Sequence, residues 1–229
     1  MKIKLYKPFE HWYHGGTIYL YSDPHFADPE SKKENPNWPD ADEIVKSINS
    51  YLGKNDTIIF LGDIGDESYI KKIKGYKVLL LGNHDKGASN YIKKYYSYLK
   101  DNPNNVLFES LNIHDCAAFN FEYFMDFGVM PTVGSNHMFD EVYEGPLFIN
   151  EKICLSHEPI YLEFGYNIHG HRHFGIHTAS TVDTNARINI ASDVVNFKPL
   201  RLDKLINEFK VMDIHRVTIN RAIERESNV

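Results

Sequence analysis

Four short stretches of the chain are almost unbroken runs of apolar residues ending in polar ones: Ile18–Ser22, Thr57–Leu61, Lys77–Leu81 and Lys152–Ser156. Continuous rather than alternating apolarity predicts strands covered on both faces. Arg187–Val195 is a further strand candidate. A helical pattern occupies Asp40–Leu52, where Ile44, Val45, Ile48, Tyr51 and Leu52 share one face. Asp40 and Glu43 have the spacing of a capping box there, and Gly53 follows as a stop. Asn90–Lys100, the short Tyr69–Lys74 and Leu202–Phe209 are further helix candidates. Strands alternating with helices predict an α/β protein.

Other segments lack such a period. Phe26–Pro39 holds three prolines and several charges, and reads as an exposed loop after the first strand. The aromatic, glycine-containing stretch 111–146 reads as an insertion, hairpin-rich or forming a partial cap. The end, 213–229, reads as a charged helical tail. The expectation is one domain over residues 1–229, a length that also suits a single large α/β domain.

Composition narrows the class. At 42% apolar residues the chain can build a core and is not a disordered polymer. It has no apolar run long enough to span a bilayer, and its first residues lack the apolar core of a signal peptide. Cys116 and Cys154 form no CxxC pattern, which argues against a disulfide framework. These features predict a cytoplasmic protein without membrane partners. A net charge of −6 argues against the broad basic surface that long nucleic acid requires. The unusual number is 12 histidines in 229 residues.

Several of those histidines stand with carboxylates just after the strand candidates. The clusters are Asp23-Pro24-His25, then Gly62-Asp63-Ile64-Gly65-Asp66, then Gly82-Asn83-His84-Asp85, then His157, and finally His169-Gly170-His171-Arg172-His173. Taken singly, each has an ordinary alternative: Asp-Pro and Gly-Asp are common in turns, and a lone His is usually structural. Taken together they place carboxylate, amide and imidazole groups beyond strand ends, where open α/β sheets gather ligands. Such groups suit a divalent metal.

This order of clusters resembles the calcineurin-like metallophosphoesterases, whose pattern is D-x-H, G-D-x-x-D, G-N-H-[DE], H and G-H-x-H. The matching stretch runs from Asp23 to His173. The resemblance implies a four-layer α/β/β/α sandwich with two packed mixed sheets and two divalent metal ions (Mn, Fe, Zn, Ni or Co). One metal would be held by Asp23, His25, Asp63 and His173, the other by Asp63, Asn83, His157 and His171, with Asp63 shared. A hydroxide bridging the two ions would be the nucleophile toward phosphorus. The resemblance makes His84 a catalytic group on the leaving-group side, oriented by Asp66, whose ordinary alternative is a helix cap. Arg172 is a weaker candidate for touching substrate.

Glu67 stands where the protein phosphatases of this superfamily carry an arginine after the second Asp, so a phosphoprotein substrate is disfavoured. The expected activity is hydrolysis of a small phosphodiester or nucleotide-like phosphoester. A phosphomonoesterase of the same fold is the alternative. A non-catalytic scaffold would have lost ligands, and a metallo-β-lactamase-type hydrolase needs an early H-x-H-x-D-H that the chain lacks. The aromatics Phe26, Trp38, Phe174, Tyr161, Phe164 and Tyr166 adjoin the motifs. Packing is their ordinary role and stacking on a base the alternative. His169 and His177 flank the last cluster and would either support its ligands or be structural.

Overall fold

The apolar runs fold into the centres of two packed sheets. The structure, a computed structural model, describes residues 3–13, 15–85, 130–131, 138–143, 146–160, 162, 165–173, 182–183 and 187–206. Strands are β1 (Ile18–Tyr21), β2 (Thr57–Phe60), β3 (Tyr76–Leu80), β4 (Met130–Pro131), β5 (Glu141–Tyr143), β6 (Leu147–Phe148), β7 (Ile153–Ser156), β8 (Tyr166–His169), β9 (Val182–Asp183), β10 (Arg187–Asn189) and β11 (Leu200–Arg201). The first sheet has the order β11-β1-β2-β3-β5-β4 and the second β6-β7-β8-β10-β9. Each has a parallel centre, β1–β2–β3–β5 or β7–β8–β10, with antiparallel strands at its edges. The chain is thus an α/β protein with two mixed sheets and flanking helices.

Alternation along β1 explains why its apolar run is unbroken. Ile18 and Leu20 join the core between the sheets, with Ile59, Leu61, Val78 and Leu80 from the first sheet and Leu155, Ile168 and Ile188 from the second. Tyr19 and Tyr21 point the other way, into a layer with Ile58, Phe60 and Leu79. Helix α2 (Ala41–Tyr51) covers that layer through Ile44, Val45 and Ile48. Each fully buried aliphatic side chain here contributes about 1.5–3 kcal/mol relative to exposure. Helix α2 begins where its capping box predicts, with the Glu43 carboxylate accepting the Asp40 N–H at 3.0 Å. Tyr51, expected on its apolar face, is 43% exposed.

Several boundaries differ from expectation. The loop expected over Phe26–Pro39 contains a short helix, α1 (Pro29–Glu34). Asp28 caps it and Pro29 sits in its first turn, a start signal hidden among charges. The short helix expected at Tyr69–Lys74 is a 3-10 helix over Glu67–Lys72. Of Arg187–Val195 only Arg187–Asn189 is strand. Ala191 then bridges to Ser22, and a turn with Asn196 and Phe197 at positive φ carries the chain away. Strand β8 was not anticipated, because buried Asn167 and His169 break its apolar run. Asn90–Lys100, most of 111–146 and the tail 213–229 lie outside the described residues. No helix among the described residues is long and apolar enough to cross a membrane.

A buried carboxylate ties the N-terminal segment to the first sheet. Glu141 accepts from Trp12 Nε1 at 3.0 Å, from the Tyr76 hydroxyl at 2.7 Å, and from Tyr143 and His11. Burial raises the Glu141 carboxyl, but the His11 and tyrosine bonds outweigh that and hold it below its ordinary value. Burial likewise lowers His11, and the Glu141 bond and charge outweigh it, holding the imidazole above its ordinary value. The Glu141 contribution to stability is present above the ordinary 4.5 and is lost as pH falls through its depressed value. The His11 contribution is complete below 6.5 and is lost as pH rises through its raised value. Glu141→Ala is therefore expected to cost about 3 kcal/mol or more, roughly 6–12 °C in Tm. The deficit should be greatest between those two pH values and narrow on either side. Thermal melts of both proteins from pH 3 to 9 check this, and a deficit independent of pH would refute the ion-pair account.

Candidate metal centre

Five of the parallel strands end on one side of the molecule, and the polar clusters stand there. Ser22 and Asp23 follow β1, Asp63 follows β2, Asn83 and His84 follow β3, His157 follows β7, and His171 and His173 follow β8. The two sheets are stitched together at this end. Ser22 bridges to Ala191, and the Ser192 hydroxyl donates to the carbonyls of Ser22 and Asp23. The loop after β1 continues to pair with the loop after β2, with Asp23 N–H on Gly62 O at 3.1 Å and His25 N–H on Asp63 O at 3.1 Å.

The backbone at this end is strained. Asp23, His25, Asp63 and His171 all adopt positive φ, between 40° and 67°. Left-handed residues other than glycine cost roughly 1–2 kcal/mol each, and such residues cluster where side chains must be aimed. Gly62 precedes Asp63 at φ 92°, and a Cβ there would lie 2.5 Å from Gly82 Cα and 2.8 Å from His157 Nδ1. Only glycine lets the loops after β2 and β3 meet the His157 ring at that distance. At Gly170 an added Cβ would collide with Ser22 and Asp23, so glycine there lets the His171 loop close over Asp23.

Two groups of side chains converge. Ligand atoms of Asp23, His25 and His173 lie within 4.8 Å of one another, and so do those of Asp63, His157 and His171. Asp63 sits between them, with Oδ2 3.8 Å from His25 Nε2 and 3.3 Å from His157 Nε2. Asp23 Oδ1 lies 3.7 Å from His173 Nε2. It is also 3.8 Å from His157 Nδ1, but that nitrogen is already bonded to the Leu61 carbonyl at 2.7 Å. Asn83 joins the second group, its Oδ1 2.8 Å from His157 Nε2 and 3.1 Å from His171 Nδ1.

Electrostatics match this crowding. Burial lowers the His157 imidazole, yet the Asp63 hydrogen bond and the Asp23 and Asp63 charges prevail and push it up to about 9. Burial raises Asp63, but His157 and the His84 amide overcome that and hold it below the ordinary carboxylate range. Buried carboxylates that draw a proton onto an imidazole are a site built for positive charge. The donor set is mixed oxygen and nitrogen, which fits divalent Mn, Fe, Zn, Ni or Co.

The other expected residues take varied places. His84 is exposed, its N–H donates to Asp63 Oδ1 at 2.9 Å, and its ring centroid is 5.9 Å from that of His25. Among the described residues no hydrogen bond joins Asp66 to the His84 ring. The Asp66 carboxylate accepts the Ser68 N–H at 2.9 Å and caps the 3-10 helix, so its capping role is the one realised. Arg172 is half-buried between the two site histidines, and its carbonyl accepts from Asn189 at 2.6 Å. Phe26, Trp38 and Tyr166 are buried packing residues. Phe26 stacks on Tyr69, and Trp38 stands edge-on to His25 and His173 at centroid distances of 5.8 and 5.5 Å. No face of Phe26 is left for a base. His169 is fully buried, its Nδ1 2.8 Å from the Gly170 carbonyl oxygen. Tyr161, Phe164, Phe174 and His177 lie outside the described residues.

Three carboxylates of the site were not anticipated. Asp28 Oδ2 lies 3.2 Å from His25 Nδ1, and Asp193 Oδ1 lies 2.8 Å from His173 Nδ1. Asp85 accepts the N–H groups of Gly82, Asp63 and Ile64 at 2.7, 3.0 and 2.8 Å, clamping the loops after β2 and β3 together. Its signal was present as the last residue of Gly82–Asp85. Beside His25 a cleft of about 520 Å³ opens between α1 and α2, with Lys32, Trp38, Asp42, Glu43 and Tyr69 on its walls.

Known proteins bear on the same residues. No curated protein matches the chain. A solved structure, that of a protein of unknown function from Aquifex aeolicus, is similar at 21% identity and a TM-score of 0.53. The match covers 84% of this chain and 98% of that one, and shows a shared fold. The family model for calcineurin-like phosphoesterases matches residues 16–197, a span that holds both groups of metal-binding side chains. The two packed sheets, the strand-end clusters and this match agree: the chain belongs to the calcineurin-like phosphoesterase family.

Proposed function

We propose that the protein is a binuclear metal-dependent hydrolase of a small phosphodiester or nucleotide-like phosphoester. The observation that carries this reading is the pair of His/Asp groups set back to back across Asp63. Asp23, His25, Asp63 and His173 would hold one ion, and Asp63, Asn83, His157 and His171 the other. Two dications in such a site supply an acidified water as nucleophile and neutralise charge on the phosphate oxygens. The chain supplies the rest. The Asp63 carboxylate, shared by both sites, would offset repulsion between the ions, and its Oδ1 fixes the backbone of His84. From there the imidazole N–H of His84 would reach the leaving oxygen and give it a proton. Asp85 holds the loops that carry Asp63 and His84 in register.

Glu67 in place of an arginine supports a compact diester over a phosphoprotein. The expected result is a higher kcat/KM for bis-nitrophenyl phosphate than for nitrophenyl phosphate with Mn²⁺, both activities being lost to a chelator. A tenfold preference for the monoester, or brisk dephosphorylation of a phosphopeptide, would overturn the choice of diester. Absence of hydrolysis in metal-replete protein would overturn the enzyme reading as a whole.

A further inference from the structure

The two groups of metal-binding side chains are backed differently. In the group of Asp23, His25 and His173, both histidines turn Nδ1 outward onto a carboxylate: His25 onto Asp28 and His173 onto Asp193. Their Nε2 atoms face the carboxylates of the site, 3.8 Å from Asp63 and 3.7 Å from Asp23. In the other group His157 turns Nδ1 onto the uncharged Leu61 carbonyl. His171 points Nδ1 inward, 3.1 Å from Asn83 Oδ1 and 3.2 Å from His157 Nε2. Exposed Glu158 acts on His171 through its charge. Asp85 backs the shared Asp63 and so favours neither group.

The two outer carboxylates are held firmly. Asp28 is fixed as the cap of α1, accepting from the Glu30 N–H at 3.1 Å and the Ser31 hydroxyl at 3.2 Å. The Asp193 side chain is 5% exposed in the turn after the Ala191 bridge. A carboxylate on the far nitrogen of an imidazole fixes its tautomer and makes the near nitrogen a stronger donor. Losing such a partner weakens metal binding by roughly 10–100-fold. The Asp23 group therefore has two carboxylate-backed imidazoles, whereas among the described residues the Asp63–His157–His171 group has none and only a carbonyl behind His157. Its charged ligands are also more numerous, because Asn83 brings no charge to the second group.

We propose that Asp28 and Asp193 are positioning residues that make the Asp23–His25–His173 site the tighter of the two, so that the sites fill in a fixed order. This rests on the binuclear reading above. The second site is then the exchangeable one, and its occupancy follows the free metal concentration.

The test is calorimetric titration of the metal-stripped full-length protein with Mn²⁺. Two steps separated by at least roughly tenfold are expected. Asp193→Asn and, independently, Asp28→Asn should weaken the first step by roughly 10–100-fold and leave the second nearly unchanged. Asn retains the size of each residue, and at position 28 its one carbonyl oxygen can keep the cap on the Glu30 N–H, so what is removed is the charge and the acceptor oxygen that faces the histidine. Because the two variants act on different histidines, either one tests the proposal if the other melts early. His171→Ala should remove the weaker step and spare the tighter one. Two steps of equal affinity, equal weakening of both steps by the Asn variants, or loss of the tighter step in His171→Ala would overturn the proposal and leave the binuclear reading standing. Binding of fewer than two ions by the unaltered protein would overturn both.

Discussion

Asp63→Asn is expected to take the bound metal from two ions per chain to less than one and to lower phosphoesterase activity by at least about 10³-fold. Asp63 Oδ2 stands between His25 and His157, one from each group, and among the described residues no other side chain is placed to serve both with a free oxygen. Asn keeps the shape and tolerates the left-handed backbone at φ 55°. What it removes is the negative charge that would offset two dications held close together. A loss of about 4 kcal/mol of transition-state stabilisation corresponds to that factor, and a metal pair supplies several kcal/mol. Asp23→Asn is the contrast. Asp23 reaches His173, and otherwise its oxygens accept the His171 N–H at 3.1 and 3.0 Å. It should cost one ion and spare the other. Elemental analysis with kinetics on the same samples decides the matter, and two retained ions in Asp63→Asn would remove the bridging role.

The strands that build this site were legible because their physics is local. Ile18–Tyr21 and Thr57–Phe60 are buried on both faces, and nothing but an apolar run can occupy such places. The groups after them were legible for a related reason. Asp, Asn and His directly beyond a buried strand are costly to place unless something there needs them. Partnerships across the fold were not legible. Asp193 meets His173 because β10 lies parallel to β8 in a fixed register, and no period in the sequence encodes that pairing. Glu141 lies in a stretch whose sequence shows no period, yet it is buried under donors from two tyrosines, a tryptophan and a histidine. Asp66 shows the opposite failure. The family resemblance implied a catalytic partner, with a helix cap as the alternative, and the carboxylate is the cap. Local propensity and long-range pairing agree in the sheets and part company at the site, where strain and buried charge concentrate.

His84→Ala is expected to keep both metal ions and lose activity by about 10²–10⁴-fold, the range for a positioned acid–base group. His84 belongs to neither group of metal-binding side chains, yet its ring lies beside that of His25 and its backbone is pinned to Asp63. It is exposed, so a substrate can reach it. A proton delivered to the leaving oxygen matters most when that oxygen leaves as a strong base. The loss should therefore be nearly complete for a diester with an alkyl leaving group and should shrink to roughly tenfold or less for nitrophenol, which departs without help. Asp66→Asn separates this role from that of its supposed partner. Asn caps a helix as well as Asp does, and the Asp66 carboxylate is engaged with Ser68, so activity should stay near that of the unaltered protein. The measurement is kcat/KM for alkyl and nitrophenyl diesters in both variants, with metal content determined alongside. A His84→Ala protein that loses metal in step with activity would make His84 a ligand. A loss independent of the leaving group would make it a charge on the phosphate and not an acid.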